Sequence, residues 1–375
     1  MFNINKKMKR KIILVYIILI FAIQIKSFIK YSSYRELELK LSSKINSIKR
    51  IGRYYIKDDI IYLAQSGSSI EFYLTAKSAL ITIYGGKTYL HDDYAKPRYA
   101  IYLNDKLFLD EKIQSMHTKI LLFNYDTMRE VKIKIILLSE SFFGDIGINQ
   151  LYFHSFLNVE DSIRPTEEKK YLIEFIGDSI TCGYGIEAKA GHELFDTGTE
   201  NFEKTYAYLA SKELNFDYSV VCYSGCGIIS PGIKMPQKYT KINYYSSDLE
   251  WNFTEKKNDI IVINLGTNDR DLALSFRDGY YSDDYSNFLR IVREKNPDAI
   301  IICIYGMMGM EDLFPLIMEG IESLNDDKIF GYLFPAQKIE DGFGAQFHPN
   351  EVSNKKWAKI LTNVIKNILK KRQIK

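Results

Sequence analysis

The chain has little cysteine, little histidine and almost no excess charge, and each shortage removes a class of protein. Its 375 residues include four cysteines and five histidines. Cys182, Cys222, Cys226 and Cys303 all lie in the second half, and no histidine stands near them at metal-ligand spacing. A zinc site is therefore not expected. Cys222 ends an apolar run and Cys303 lies inside one, which predicts buried free thiols rather than a disulfide framework. The formal net charge of +3 comes from one place: Lys6, Lys7, Lys9, Arg10 and Lys11, with no acid among residues 1–11. Without them 45 basic residues face 47 acidic ones, a balance of −2. The body has no electrostatic pull toward nucleic acid. A hydrophobic fraction of 46% with 26% charged residues excludes a disordered chain. The length predicts two domains.

The basic cluster precedes an apolar run from Ile12 to Ile25, broken only by Gln24. That run is shorter than the ~20 residues of a comfortable membrane span but suits a signal-peptide core. No small-x-small cleavage site follows it. The expected reading of residues 1–30 is an uncleaved signal anchor, with a cleaved signal peptide as the alternative. Positive charge before the run places the amino terminus inside and the body outside. The expected location is thus extracytoplasmic, membrane-anchored or secreted.

Residues 31–51 are polar and charged with scattered Leu and Ile, and are expected to form a stalk. Alternation begins beyond them. Ile70, Phe72 and Leu74 alternate with Glu71 and Tyr73, as Val131, Ile133 and Ile135 do with Lys132 and Lys134. Turn signals at Gly85-Gly86, Asn104-Asp105 and Gly144-Asp145 separate the runs. Several short strands at this spacing predict a jelly-roll-like β-sandwich over 52–160. His91, His117 and His154 are isolated within it. Pro165 and the charges at Glu167 to Lys170 mark a boundary. Over 168–372 strands alternate with helices: strands at Tyr171–Ile176, Tyr218–Cys222, Ile260–Leu265 and Ala299–Ile304, and helices at Thr205–Leu214, Asp284–Arg293 and Glu351–Leu369. This pattern predicts an α/β domain with a parallel sheet flanked by helices.

Four short strings carry chemistry: GDSIT (Gly177–Thr181), SGCG (Ser224–Gly227), GTND (Gly266–Asp269) and HPN (His348–Asn350). The first three, and YGMMG (Tyr305–Gly309), each follow a predicted strand. In a parallel sheet the loops at the carboxyl ends share one edge, where ligands bind, so these strings should converge. Ser179 is the candidate nucleophile, weak until a base takes its proton. His348 is the candidate base. The backbone N–H groups of Ser179 and Gly225 and the Asn268 side chain are candidate oxyanion donors, with Gly227 competing with Gly225. His192 lies in the polar loop Gly185 to Glu203 and reads as solvated.

These strings resemble the SGNH/GDSL hydrolase superfamily, whose blocks carry Ser, Gly, Asn and His. A β-sandwich before such a domain is similar to carbohydrate esterase family 2, as are NFEKTYAYL (Asn201–Leu209), the stretch Trp251–Asp269 ending in VINLGTND, YGMMG, and DGFGAQFHPN (Asp341–Asn350). The likeness covers about residues 50–370. It implies a serine esterase removing O-acetyl groups from carbohydrate, with no metal or organic cofactor. Its partners would be an acetylated carbohydrate substrate and a membrane at the amino terminus. Lipid or cell-envelope glycan deacylation, and carbohydrate binding with little turnover, remain alternatives, because a fold does not fix the acyl acceptor. One departure stands out. Many SGNH enzymes carry Asp three positions before the catalytic His, and here that position is Ala345. Either a backbone carbonyl orients the ring of His348, or Asp341 substitutes as the orienting acid.

Overall fold

The computed structural model of the protein describes residues 15–21, 34–276 and 280–373. Of the expected anchor Ile12–Ile25 only Val15–Phe21 falls among them, helical and exposed; the rest lies outside the described residues. Among the described residues no helix is long and apolar enough to cross a membrane.

Period-two alternation builds the first domain. Ile70, Phe72, Leu74, Val131, Ile133 and Ile135 are all buried. They come from two long antiparallel strands, Ser69–Tyr84 and His117–Leu137, paired along their whole length. The register shifts between Ala76 and Ser78, where the ladder bends. Beyond the bend the other edge of Ser69–Tyr84 takes Ile146–Ser155. One core draws on both halves, Ile70 and Phe72 with Ile81, Leu151 and Phe153. The expected run of short strands is thus replaced in part by strands of 16 and 21 residues, which serve both halves.

The expected stalk at 31–51 is also corrected. Arg35–Lys40 pairs with Ile146–Ser155, Lys49–Ile51 pairs with Ser69–Glu71, and Leu39, Leu41 and Ile48 join the core. Alternation within RELELK drives this, because Leu37 and Leu39 face one side. The strand Ile163–Pro165 pairs with Phe72–Leu74 and carries the sheet past 160.

The second domain has a five-stranded parallel sheet. Its order is Asp217–Cys222, Leu172–Gly177, Ile260–Asn264, Ile300–Tyr305, Ile329–Leu333. Continuous apolar runs fit strands buried on both faces. Ile176, Val221, Ile261, Ile263, Ile301 and Cys303 pack on one face with the helices Tyr281–Lys295 and Phe314–Glu322. Phe175, Val220, Val262 and Ile302 pack on the other with Tyr206–Leu214 and Glu351–Gln373. The four cysteines are buried and unpaired.

Polar contacts join the two domains. Fully buried Arg53 reaches the carboxylate of Glu174, itself fully buried on the strand Leu172–Gly177, at 3.1 Å. Lys49 pairs with Asp217 at 2.6 Å. Tyr218 donates its hydroxyl to the Gly67 carbonyl at 2.9 Å.

Candidate active site

Register decides where the strings leave the sheet. Gly177 stands opposite Cys222 on one side and Asn264 on the other. Ser179, Gly225 and Asn268 therefore lie two, three and four residues past one level of three adjacent strands. The chain order reverses across these strands, the position at which open α/β sheets bind ligands.

Ser179 opens the short helix Ser179–Cys182. Asp178 caps it, its Oδ1 accepting from the Ile180 N–H at 3.0 Å. Burial pushes the Asp178 carboxyl up to about 7. Capping falls to Asp178, which leaves the Ser179 hydroxyl free to face His348. The His348 Nε2 stands 3.0 Å from Ser179 Oγ. On the ring's far side Nδ1 faces the Ala345 carbonyl at 3.2 Å and the Gln346 carbonyl at 3.3 Å. A carbonyl only accepts, so Nδ1 carries the proton and Nε2 is left to accept from the serine. Burial holds the imidazole below its ordinary 6.5, opposed by the two carbonyls. The ring is then neutral at pH 7, the form a general base requires.

Asp341 takes no part in this. Both its carboxylate oxygens accept from Lys356 Nζ, at 2.6 and 2.7 Å. The sequence alternative of Asp341 as orienting acid is thereby corrected: the acid is spent on an ion pair, while its carbonyl accepts from Asn350 Nδ2. Asp341→Asn should lower kcat less than about tenfold, under ~1.4 kcal/mol of transition-state stabilisation. A thousandfold loss in a folded protein would restore Asp341 as a third member.

The His348 loop is held from outside. Gln346 and Phe347 adopt left-handed φ of 49° and 60°, strained for residues other than glycine. The Ala345, Gln346 and Phe347 N–H groups donate to the carbonyls of Gly185, Glu193 and Gly191 at 2.9, 3.1 and 2.9 Å. The polar loop after Gly185, which reads as solvated in sequence, is the cradle of the His348 loop. His192 within it is exposed. Tyr184 packs its ring on His348, centroids 4.4 Å apart, and its hydroxyl donates to Gln346 Oε1.

Gly225 is exposed and left-handed, with φ 76°, and nothing lies within 4 Å of where a Cβ would stand. Gly227 is buried beneath the Asp269 carboxylate. Of the two glycines, Gly225 is the exposed one. Asn268 is half-buried and donates from Nδ2 to the Cys226 carbonyl at 2.9 Å, next to Gly225. Asp269, which motif reading passed over, ties the loops together. It accepts from the Ile228 and Ile229 N–H groups at 2.8 and 2.9 Å and from the Tyr281 hydroxyl at 3.1 Å. Burial raises its carboxyl and these donors oppose the shift.

Aromatic rings lead away from His348. Tyr184 stacks on Phe195 at 4.1 Å and Phe195 on Phe143 at 5.0 Å. Phe143 meets Phe142, and Phe142 meets Tyr244, at 5.1 and 4.9 Å. The row starts in the α/β domain and crosses to a segment of the β-rich first domain. Among the described residues one cluster has metal-ligand chemistry: Glu140, Cys182 and Glu200, all buried, with donor atoms within 4.8 Å of one another.

This geometry sets a serine hydroxyl against a histidine ring at the edge of a parallel sheet. The model of the GDSL-like lipase/acylhydrolase family matches residues 175–328, a stretch that takes in Ser179, Gly225 and Asn268. Its two-domain form resembles carbohydrate esterase family 2. Cellulase/esterase CelE of Acetivibrio thermocellus is 34% identical over 219 residues, 55% of this chain and 26% of that protein. The chain thus spans about a quarter of that relative's length, 26%. An acetylxylan esterase / glucomannan deacetylase of Cellvibrio japonicus is 24% identical over 269 residues, 69% of this chain and 73% of that one. A solved family two carbohydrate esterase from Clostridium thermocellum, in complex with cellohexaose, is 26% identical with TM-score 0.76, covering 86% of this chain and 99% of that chain. Another from Cellvibrio japonicus, 20% identical with TM-score 0.78, covers 90% and 99% and shares the fold.

Proposed function

We propose that the protein is a carbohydrate acetyl esterase working through Ser179 and His348. The observation that carries this reading is the 3.0 Å contact from His348 Nε2 to Ser179 Oγ, with Nδ1 turned to backbone carbonyls. Nε2 takes the hydroxyl proton as Oγ attacks the acetyl carbonyl. The oxyanion that forms is met by the N–H groups of Ser179 and Gly225 and by Asn268 Nδ2. Such a donor is worth roughly 3 kcal/mol of barrier. Collapse breaks the C–O bond to the sugar, and His348 returns the proton to the leaving oxygen. Water then attacks the acetyl-serine by the same steps in reverse roles, releasing acetate.

The carbohydrate part of the proposal is supported by the named activities of the relatives and by the aromatic row from Tyr184 to Tyr244. Phe142, the exposed ring of that row, offers an apolar surface suited to the C–H faces of a sugar and carries no charge that would select an ionic substrate. The test is acyl-chain preference. The full chain should hydrolyse 4-nitrophenyl acetate faster than the octanoate. A preference for the longer chain would point to lipid, and sugar binding without turnover would point to a binding module.

A further inference from the structure

Glu140 belongs to the β-rich first domain, in the segment between the strands His117–Leu137 and Ile146–Ser155. Its side chain nevertheless ends at the catalytic loops, fully buried. Its Oε2 accepts from the Ser224 N–H at 2.8 Å, one residue before Gly225. The same oxygen receives the Cys182 thiol at 3.8 Å, and Cys182 closes the helix that Ser179 opens. One carboxyl oxygen therefore touches both the loop bearing the oxyanion donor and the turn bearing the nucleophile.

The segment around Glu140 is fixed on every side. The Glu140 N–H donates to Glu200 Oε2 at 3.2 Å. Leu138 accepts at its carbonyl from the Phe202 N–H at 3.1 Å, and Ser141 Oγ from the Tyr244 N–H at 3.1 Å. Glu140 Oε1 and Glu200 Oε1 are both buried without a hydrogen-bond partner among the described residues. Burial pushes the Glu140 carboxyl up to about 7 and that of Glu200 well above its ordinary value. Burial disfavours two bare charges side by side in this site.

We propose that Glu140 is a positioning residue: it sets the spacing between the Ser179 turn and the Gly225 amide, so that the first domain completes the oxyanion site. Glu140 touches no substrate, and the inference rests on the Ser179 reading above. The Gly225 carbonyl accepts from Ser230 Oγ at 3.0 Å, which holds the residue on its carboxyl side within its own loop; Glu140 holds its amino side through the Ser224 N–H at 2.8 Å. A misplacement of about 1 Å can cost about a hundredfold in rate.

The test uses the full chain as wild type, Glu140→Ala, Glu140→Gln, Glu140→Asp and Ser179→Ala, with 4-nitrophenyl acetate as substrate. Sites are counted by exhaustive fluorophosphonate labelling, so misfolded protein does not enter kcat. Glu140→Ala should lose about a hundredfold in kcat per labelled site, with KM changed less than about threefold. Glu140→Gln keeps an oxygen for the Ser224 N–H and should recover most of the loss. Glu140→Asp keeps the charge but falls short by one methylene, and should not. A merely structural carboxyl would lower the number of labelled sites and leave kcat per site unchanged in all three, which would overturn the proposal. If Glu140→Ala does not fold, full kcat per site in Glu140→Asp overturns it equally. An active Ser179→Ala would refute the esterase reading first; an inactive Ser179→Ala beside unchanged Glu140 variants would refute the positioning role alone.

Discussion

Ser179→Ala is expected to lose at least about 10⁴-fold in kcat toward 4-nitrophenyl acetate, about 5.5 kcal/mol of transition-state stabilisation. Without Oγ no acyl-enzyme forms, and the donors around Gly225 and Asn268 can at best assist attack by water. The side chain is small, and the hydrogen bond lost is the one to His348 Nε2. Folding should therefore be untouched, with a urea midpoint close to that of the wild type. A fluorophosphonate should label the wild type and spare the variant. His348→Ala should reach a similar loss, since base and nucleophile act as a unit and their effects do not add. Equal labelling of wild type and Ser179→Ala would place the nucleophile elsewhere.

Arg53→Ala carries the largest expected effect on stability. Arg53 comes from the β-rich first domain and is fully buried against the strand Leu172–Gly177 of the other domain. It donates to Glu174 Oε1 at 3.1 Å and to the carbonyls of Tyr239 and Lys241 at 2.5 and 2.6 Å. Its guanidinium lies 5.4, 5.7 and 5.4 Å from the rings of Tyr239, Trp251 and Phe253. Truncation strands the Glu174 carboxylate in a low-dielectric interior and orphans two carbonyls. Breaking such a pair costs about 3–5 kcal/mol. The Tyr239 hydroxyl at 2.9 Å and Asn258 Nδ2 at 3.2 Å remain to Glu174 and place the loss toward the lower end. The double variant Arg53→Met/Glu174→Leu removes both charges and should recover part of it. Urea unfolding of the full chain measures all three proteins. A loss under about 1 kcal/mol for Arg53→Ala, the size of a surface change, would contradict the account of the joined domains.

What the sequence revealed, and what it withheld, follows from the range of the interactions involved. That the loops bearing Ser179, Gly225 and Asn268 leave one sheet edge was readable because each follows an apolar run fit for a buried strand, and parallel strands deliver such loops to one edge. The missing carboxylate before His348 was readable as Ala345. The fifth strand, Ile329–Leu333, was missed. IFGYL is short, contains glycine and is only half-buried along most of its length at the sheet's edge, so it lacks the apolar signature of the other four. The strand Arg35–Lys40 did carry a period-two signal in Leu37 and Leu39, but flanking charges made it read as a stalk.

Other parts of the site left no local trace. Glu140 stands 39 residues before Ser179 in a different domain, and the segment around it carries no motif. The cradle of the His348 loop consists of backbone carbonyls at Gly185, Gly191 and Glu193, which any residue supplies. The pairing of Asp341 with Lys356 depends on the turn between them and on the helix Glu351–Gln373, not on spacing to the histidine.

The central claim, Ser179-dependent deacetylation of carbohydrate, is tested most directly by acetate release. Wild type and Ser179→Ala, each as the full chain, are incubated with acetylated xylan and acetylated glucomannan, and acetate is measured by enzymatic assay. The account predicts continuous release by the wild type from at least one polymer, matched by an equal number of freed hydroxyls, and none above background with Ser179→Ala. Equal release by both proteins, or no release by a wild type that readily hydrolyses long-chain 4-nitrophenyl esters, would contradict it.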